Sequence, residues 1–553
     1  MTKELNSDMV SVAKLFSQDF FFRVPAYQRP FLWDADNFSD LVDDLAGADR
    51  DEPYFLGTLV LHQYAKNHYD IVDGQQRLTA LCILLACLRD SPAIAEDPDL
   101  VKEVHEKIIQ PKRKLEGIPE ISRVTVKDNA AFNSLVGKIN GTTKPFIKPT
   151  GSPAEVRYEK ARSIFWDKIS EMSEEEVKKF AEFVTVQCHM IYLSTVSFND
   201  AFRLFTVVND RGKQLRRIDV LKAYNLDPAA ITNESTREQY AKRWEALEER
   251  LGEKSFEDIF HLLRLVYIKD KPQKDLYSEF SERILGKSRM PSRGAGFMDE
   301  LAEYVELYDA LFVARDILDD TDKNIIHVKY QTLMMAMVKH FPASEWKACL
   351  LYFVKRFGKE QLYSLVIAIE KVGLDHWVRG VRKDERYGTY TDILKLIASA
   401  SSASQVLEGV SVETAAIEDA CRAPNFYGAG HAKYLLVRAE MVTSELDHVR
   451  DFNVRSIEHV LPQNPANGSE WMRSFTKADR DALTNTAGNL VLLSKAKNSA
   501  AGRKDFADKK VTYLKPRVSD FPRSLQVLQY DEWTPDMIRE RTEAFASMVL
   551  GEL

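Results

Sequence analysis

Apolar and polar positions along this chain follow two periods, and the places where the period changes mark its organisation. Residues 1–20 read as an amphipathic helix leading into Phe20-Phe21-Phe22-Arg23-Val24-Pro25, and Asn37 to Leu45 reads as a helix with an acidic outer face. Tyr54 to Leu61 and Tyr69 to Val72 are strand-like, rich in β-branched and aromatic residues. The second runs through Asp73-Gly74-Gln75-Gln76-Arg77 into an apolar helix, Leu78 to Leu88. Residues 90–185 are charged and helix-prone, with a polar loop around Asn140 to Pro153, and read as a helical insertion. Ile191 to Val196 is a strand. A helix follows from Ala201 through Val208, ends in a cap turn Asn209 to Leu215, and gives way to a helix begun by Asp219.

From 227 to 425 apolar residues recur at helical spacing, in Phe256 to Tyr267, Leu301 to Leu318, Ile325 to Phe341 and Leu350 to Ile369. The turn-rich Pro424 to Gly430 opens the last region. There, two short β-runs around Ile457 and from Asn489 to Leu493 precede a basic helix-prone stretch, Lys495 to Lys510, and closing helices from Pro535 to Val549. The pattern predicts three regions, 1–226, 227–425 and 426–553, in a multidomain α+β chain that is predominantly helical.

The bulk numbers narrow the class. A chain of 553 residues exceeds what one core organises. A formal net charge of −7 excludes a uniformly basic nucleic-acid coat, so any such contact must come from local patches. Cys82, Cys87, Cys188, Cys349 and Cys421 are scattered, and no CxxC pair exists to build a zinc knuckle. Cys82 and Cys87 fall in an apolar helical run and read as core. With no signal peptide and no apolar run of spanning length, the expectation is a reducing cytoplasm and no membrane partner.

The C-terminal region carries the densest chemistry. Glu458 and His459 sit side by side at the end of a β-run that Pro462 stops. A strand, a loop, a strand and a helix can gather Glu458, His459, Asn489 and Asn498 around one point. Histidine is the usual base for activating water near neutrality. Carboxylate and amide oxygens at Glu458 and Asn498 suit Mg²⁺ or Mn²⁺. Asn489 is placed to hold the backbone around His459. The basic residues Lys495, Lys497, Arg503 and Lys504, with Lys509, Lys510, Lys515 and Arg517, offer a grip on a DNA backbone. A second acidic-histidine pair, Asp447-His448, has no following proline or β-run and is assigned to a solvated face.

This constellation resembles the HNH (ββα-metal) nuclease motif in the form found in the DUF1524 family, whose acidic-His pair falls on Glu458 and His459, middle Asn on Asn489 and last Asn on Asn498. Tyr434-Leu435-Leu436 to Glu440 resembles the start of that family's domain. Glu458 departs from the Asp of many HNH nucleases, which leaves His459 the firmer assignment.

The second chemical junction is near the front. A helix start with Gly74 and Arg77 in its first turn attracts anions, and Asp73 can hold a metal or a ribose hydroxyl. The plainer reading makes Asp73 a helix N-cap. Upstream, Tyr27, Gln28 and Arg29 lie between two prolines in Val24 to Trp33, a set able to stack on a base and bond its edge. The alternative is a strand edge with Tyr27 and Trp33 packed as core. Asn209, Arg211 and Lys213 form a basic cap turn, read as a second wall for an anion near Arg77 or as plain dipole compensation.

Together VPAYQRPFLW, FLGTLV, IVDGQQRLTAL and AFRLFTVVNDRGKQLRRIDVLK resemble the DUF262 family over roughly residues 10–226. The resemblance implies a ParB/sulfiredoxin-like fold and nucleotide (ATP or GTP) binding and hydrolysis at Asp73, Gly74, Gln75, Gln76 and Arg77. Joined to a DUF1524-type end, it resembles the GmrSD class of modification-dependent restriction enzymes and the related phosphorothioation-linked defence nucleases. The implied partner is phage DNA, modified or lacking the host's mark, and a homodimer is compatible with it. Two other readings stay open: a nucleotide-driven DNA-binding regulator with an inactive HNH fold, and an RNA-cleaving toxin.

Overall fold

The computed structural model describes residues 5–25, 27–28, 31–115, 118–127, 129–145, 153–197, 200–201, 204–205, 216–286, 291–318, 325–493, 502–512 and 521–553. The chain forms two compact units, 1–244 and 245–553.

The first unit is built on a six-stranded mixed sheet: β1 (Leu5–Ser11), β2 (Phe21–Arg23), β3 (Tyr54–Ala65), β4 (His68–Asp73), β5 (Val124–Thr125) and β6 (Cys188–Thr195), in the order β1-β6-β3-β4-β2-β5. β3 and β4 pair antiparallel, while β6 runs parallel to β3 and β2 parallel to β4. Helix α1 (Ala35–Gly47) starts at a reciprocal capping box between Asp34 and Asn37 and buries Phe38, Leu41, Val42 and Leu45, as its pattern predicts. Helix α2 (Gln75–Asp90) is buried along nearly its whole length, Cys82 and Cys87 included. It ends in a buried Arg89–Asp90 pair that receives the backbone of Asn140 and Thr142 and donates to the carbonyls of Val136 and Lys138.

Two expectations change here. The opening segment is not one helix: Leu5 to Ser11 pairs antiparallel with β6, and only Val12–Leu15 is helical. Its local pattern suits a helix, but the edge of β6 supplies backbone partners from far along the chain, and those bonds decide. Nor is 90–185 a purely helical insertion. It contributes β5 to the sheet, and Tyr158 of helix α3 (Pro153–Ser170) packs on Phe31 and Phe132 within the main core. Helix α4 (Arg217–Asn225) begins as expected around Asp219, whose carboxylate accepts from the Arg216 backbone at 3.0 Å.

The second unit is mainly helical. Its helices include α5 (Glu253–Ile268), α6 (Ala295–Tyr308), α7 (Ile325–His340), α8 (Trp346–Phe357) and α9 (Leu362–Val378). The run Leu350 to Ile369, in which apolar residues recur at helical spacing, is divided between α8 and α9. Gly358 (φ 67°) and Gln361 (φ 55°) take left-handed backbone between them and turn the chain. Helix α10 (Ala432–Thr443) is followed by an antiparallel pair, β7 (Ser456–His459) and β8 (Leu490–Leu493), then α11 (Phe506–Thr512) and α12 (Pro535–Val549). The core around this pair gathers Val460, Leu461, Trp471, Phe475, Val491, Phe506, Trp533 and Ile538. No helix among the described residues is long and apolar enough to cross a membrane.

Candidate functional site

The β7–β8 pair is held from behind before any chemistry is placed on it. Glu440, buried on α10, accepts from the backbone nitrogens of Arg523 (2.7 Å) and Ser524 (3.1 Å) and from the Ser524 hydroxyl (2.6 Å). Burial pushes its carboxyl above the usual range. Ser524 in turn takes the Leu492 backbone N–H at 2.8 Å, and Arg523 donates to the carbonyls of Ala487 and Leu490. At the other end of α10, the Tyr434 hydroxyl donates to buried Glu370, which also pairs with Arg438. Tyr434 and Glu440 are therefore anchors of this unit.

Register aligns Glu458 with Val491 and His459 with Leu490. Successive strand residues point to opposite sides, and the two side chains meet different neighbours. The His459 ring lies edge-on to Tyr427, centroids 4.4 Å apart, and its Nε2 is 3.0 Å from Asn485 Oδ1. Gln463 Nε2 donates to the same oxygen at 3.2 Å, and the Asn485 carbonyl accepts from the Tyr427 backbone at 3.0 Å. Glu458 is buried with its Oε1 3.8 Å from Lys509 Nζ. That ammonium, itself fully buried, also donates to the carbonyls of His459 (2.8 Å) and Val460 (2.7 Å).

Asn489 is fully buried and its amide is fully engaged. Its Oδ1 accepts from Leu461 N–H at 2.7 Å and from the Trp533 indole at 3.2 Å, and its Nδ2 donates to the carbonyls of Leu461 (2.9 Å) and Thr484 (2.7 Å). It therefore fixes the chain on both sides: the Leu461 turn that follows His459, and the segment that carries Asn485.

One part of the expected basic grip is corrected. Lys509 is buried against carbonyls and Glu458 and is not available to a phosphate, while half-buried Lys510 donates to the Tyr530 carbonyl. The helix face explains Lys509: it lies three residues after Phe506, a core residue of α11. Arg503 and Lys504 are exposed. Asn498, Lys495, Lys497, Lys515 and Arg517 lie outside the described residues. The Asp447-His448 pair is exposed, as expected.

Whether these groups fit a divalent cation can be tested on Glu458. As placed, it fits poorly. Its Oε1 lies 3.8 Å from the buried Lys509 ammonium, which opposes a second positive charge on that oxygen. Among the described residues no group of three His, Cys, Asp or Glu side chains could hold a metal.

In the first unit, the β4–α2 junction is locked by two side-chain amides. Gln28 Nε2 donates to the carbonyls of Ile71 (2.9 Å) and Val72 (2.7 Å) at the end of β4. Gln76 Oε1 accepts from the backbone of Leu32 (2.7 Å) and Trp33 (3.1 Å). Tyr27 and Gln28, read above as able to stack on a base and bond its edge or, alternatively, to pack as core, are both buried, and the Gln28 amide is committed to backbone. Arg29 lies outside the described residues.

Gly74, not Asp73, is the N-cap of α2. It has φ 90°, and no side chain caps the helix. A side chain at 74 would also meet Leu59. Gln75 is buried, while Asp73 and Arg77 are half-buried. Burial lifts the Asp73 carboxyl above its ordinary value, against a bond from the Gly74 backbone and the charge of Arg77. Burial likewise lowers the Arg77 guanidinium, against the charges of Asp73 and Tyr54. Gly57 (φ 112°) leaves the space in which Arg77 lies, since a side chain there would collide with its guanidinium. Asn209, Arg211 and Lys213 lie outside the described residues.

Sequence reasoning passed over Asn485, Tyr427 and Gln463, and read Lys509 only as surface charge. The spacing of Lys509 from Phe506 was a usable signal. Asn485 had none, because its relation to His459 exists only after β7 and β8 pair.

The chain thus joins an α+β front unit with a helix-start junction to a helical unit that carries a histidine at the end of a strand pair. Residues 12–226 match the family model for the GmrSD restriction endonuclease N-terminal domain, and residues 412–548 match that for the GmrSD restriction endonuclease C-terminal domain. The two matches together cover more than half of the chain, which belongs to the GmrSD restriction endonuclease family. It is accordingly a nuclease, a restriction enzyme of defence acting on DNA. No curated protein matches it.

Proposed function

We propose that the C-terminal unit cleaves DNA as an HNH-type nuclease with His459 as general base, and that the N-terminal unit binds a nucleotide at Asp73 to Arg77 and makes cleavage depend on the modification state of the DNA. The observation that carries the nuclease reading is the holding of His459. Its ring meets Tyr427 and Asn485, and the turn after it is fixed by two bonds between Asn489 and Leu461. A base for phosphodiester hydrolysis must face one water in one orientation, and this arrangement supports that demand.

His459 takes a proton from the attacking water, and Arg503 and Lys504 contribute cationic contacts to the backbone. The family resemblance implies Mg²⁺ or Mn²⁺ at Glu458 and Asn498, where it would neutralise charge on the phosphate. The Lys509 ammonium beside Glu458 opposes a cation on that carboxylate, and nicking in EDTA measures the requirement.

The test is plasmid nicking with Mg²⁺, with Mn²⁺ and with EDTA, by the wild type and by His459→Ala. The variant should lose nicking by at least about 10²-fold while DNA binding stays near wild type. Retained cleavage removes His459 from its role. Unmodified, glucosylated and phosphorothioated DNA, each with and without ATP or GTP, tests the sensing half, and equal cleavage of all of them argues against it.

A further inference from the structure

Tyr427 belongs to none of the motifs that mark this chain as a nuclease, yet it is 39% exposed and its ring centroid lies 4.4 Å from that of His459, the planes inclined at 62°. We propose that Tyr427 is a nucleobase-stacking residue: a base next to the cleaved phosphate leaves the DNA stack and lies against its ring. The inference rests on the proposed cleavage of DNA at His459.

Single exposed aromatics are ordinary on a protein surface. This one differs in where it sits and how it is held. It lies in a short helical turn, Phe426–Gly428. Phe426 is fully buried and packs on Phe545 at 5.3 Å and on His431 at 6.4 Å. The Tyr427 backbone N–H donates to the Asn485 carbonyl at 3.0 Å. Gly428 and Ala429 donate back to the carbonyls of Asn425 (3.2 Å) and Phe426 (3.0 Å). The turn is thus anchored in the core while the tyrosine side chain stays exposed, so little order has to be gained when a ligand meets it.

The groups around the ring suit a base. Gln463 is exposed and Asn485 half-buried, and Gln463 Nε2 donates to Asn485 Oδ1 at 3.2 Å. An aromatic face accepts any base, because every base has a π-face. Amides can bond its edge. Each base hangs through one sugar from the phosphate chain, so a ring touching the residue that acts at the phosphate is within reach of the adjoining nucleotide. A base inside an intact duplex presents only its edges to the grooves. Stacking on Tyr427 therefore takes that nucleotide out of the helix, which costs least where the DNA is mismatched, bulged or already single-stranded. The preferred substrate class that follows is locally unstacked DNA.

The experiment uses the full chain and two readouts. Binding in EDTA is followed by fluorescence anisotropy with a labelled oligothymidylate and with the same backbone carrying abasic sugars. The preference of wild type for the base-bearing strand should fall about tenfold in Tyr427→Ala and in Tyr427→Leu, and persist in Tyr427→Phe. Nicking is compared on matched duplexes and on duplexes with one bulged nucleotide. Wild type and Tyr427→Phe should favour the bulged duplex, while Tyr427→Ala and Tyr427→Leu should lose that preference and show a KM for DNA raised about tenfold. Leucine fills space against His459 but has no π-face, so a leucine that restores what alanine loses overturns the proposal. A loss confined to kcat overturns it too, since packing against His459 predicts both results. If His459→Ala still nicks, the cleavage reading fails and the proposal falls with it. If His459→Ala is dead and Tyr427→Ala keeps the wild-type preferences, only the role of Tyr427 falls.

Discussion

At the end of β4 and at the end of β7, side-chain amides hold the backbone, but the two places treat charge in opposite ways. At the β4–α2 junction, Gln28 and Gln76 tie the strand end to the loop before α1, and burial disfavours the charged forms of both Asp73 and Arg77. At the β7–β8 pair, Asn489 does the tying, and the buried Lys509 ammonium is compensated on the spot by Glu458 and two carbonyls. A partly desolvated arginine beside a helix start is improved by an arriving anion. A charge already satisfied by its neighbours gains nothing from one. On the proposed reading the first junction is the one that responds to a ligand, while the second holds one ring still.

Breaking the tie at each place should expose that difference, and the largest effect belongs to Asn489. Asn489→Ala leaves a backbone N–H, an indole N–H and two carbonyls buried without their partner. It should cost roughly 3–5 kcal/mol in urea unfolding of the second unit, followed through Trp471 and Trp533. A loss below about 1 kcal/mol would mean that water replaces the amide and that the turn is not held as described.

Gln28→Ala removes the bonds to two carbonyls at the end of β4 and should cost about 1–3 kcal/mol in the first unit. Were Gln28 instead a reader of DNA, stability would be unchanged and only discrimination between marked and unmarked DNA would move. The smallest stability effect is expected at Arg77. Arg77→Gln gives up a guanidinium that burial already disfavours, so folding should change by under about 1 kcal/mol. Calorimetry with ATP and GTP should nonetheless show affinity reduced at least about tenfold. Unchanged affinity would leave Arg77 as a packing group over Gly57.

Much of this was legible in order. Helix α1 carried its cap and its apolar face in local sequence, α12 ran from Pro535 to Val549 as its pattern said, and the positions of β3, β4 and the β7–β8 pair followed from composition and turn residues. The Glu458-His459 pair and Asn489 were visible as residue types at telling positions. The misreadings have one cause. Leu5 to Ser11 became a strand because of β6, and Lys509 became internal because α11 turns its Phe506 face inward.

What the sequence determined by itself is whatever depends on neighbours a few residues apart: caps, periods, glycine-dependent turns and the identity of the groups able to do chemistry. The tertiary structure alone decided which polar atoms share a bond: Gln28 with the end of β4, Glu458 with Lys509, and His459 with Asn485. Side-chain periodicity reports which face is buried, but a buried polar group is satisfied by whatever partner folding brings within about 3 Å, and that partner is set by strand register and helix rotation rather than by distance along the chain.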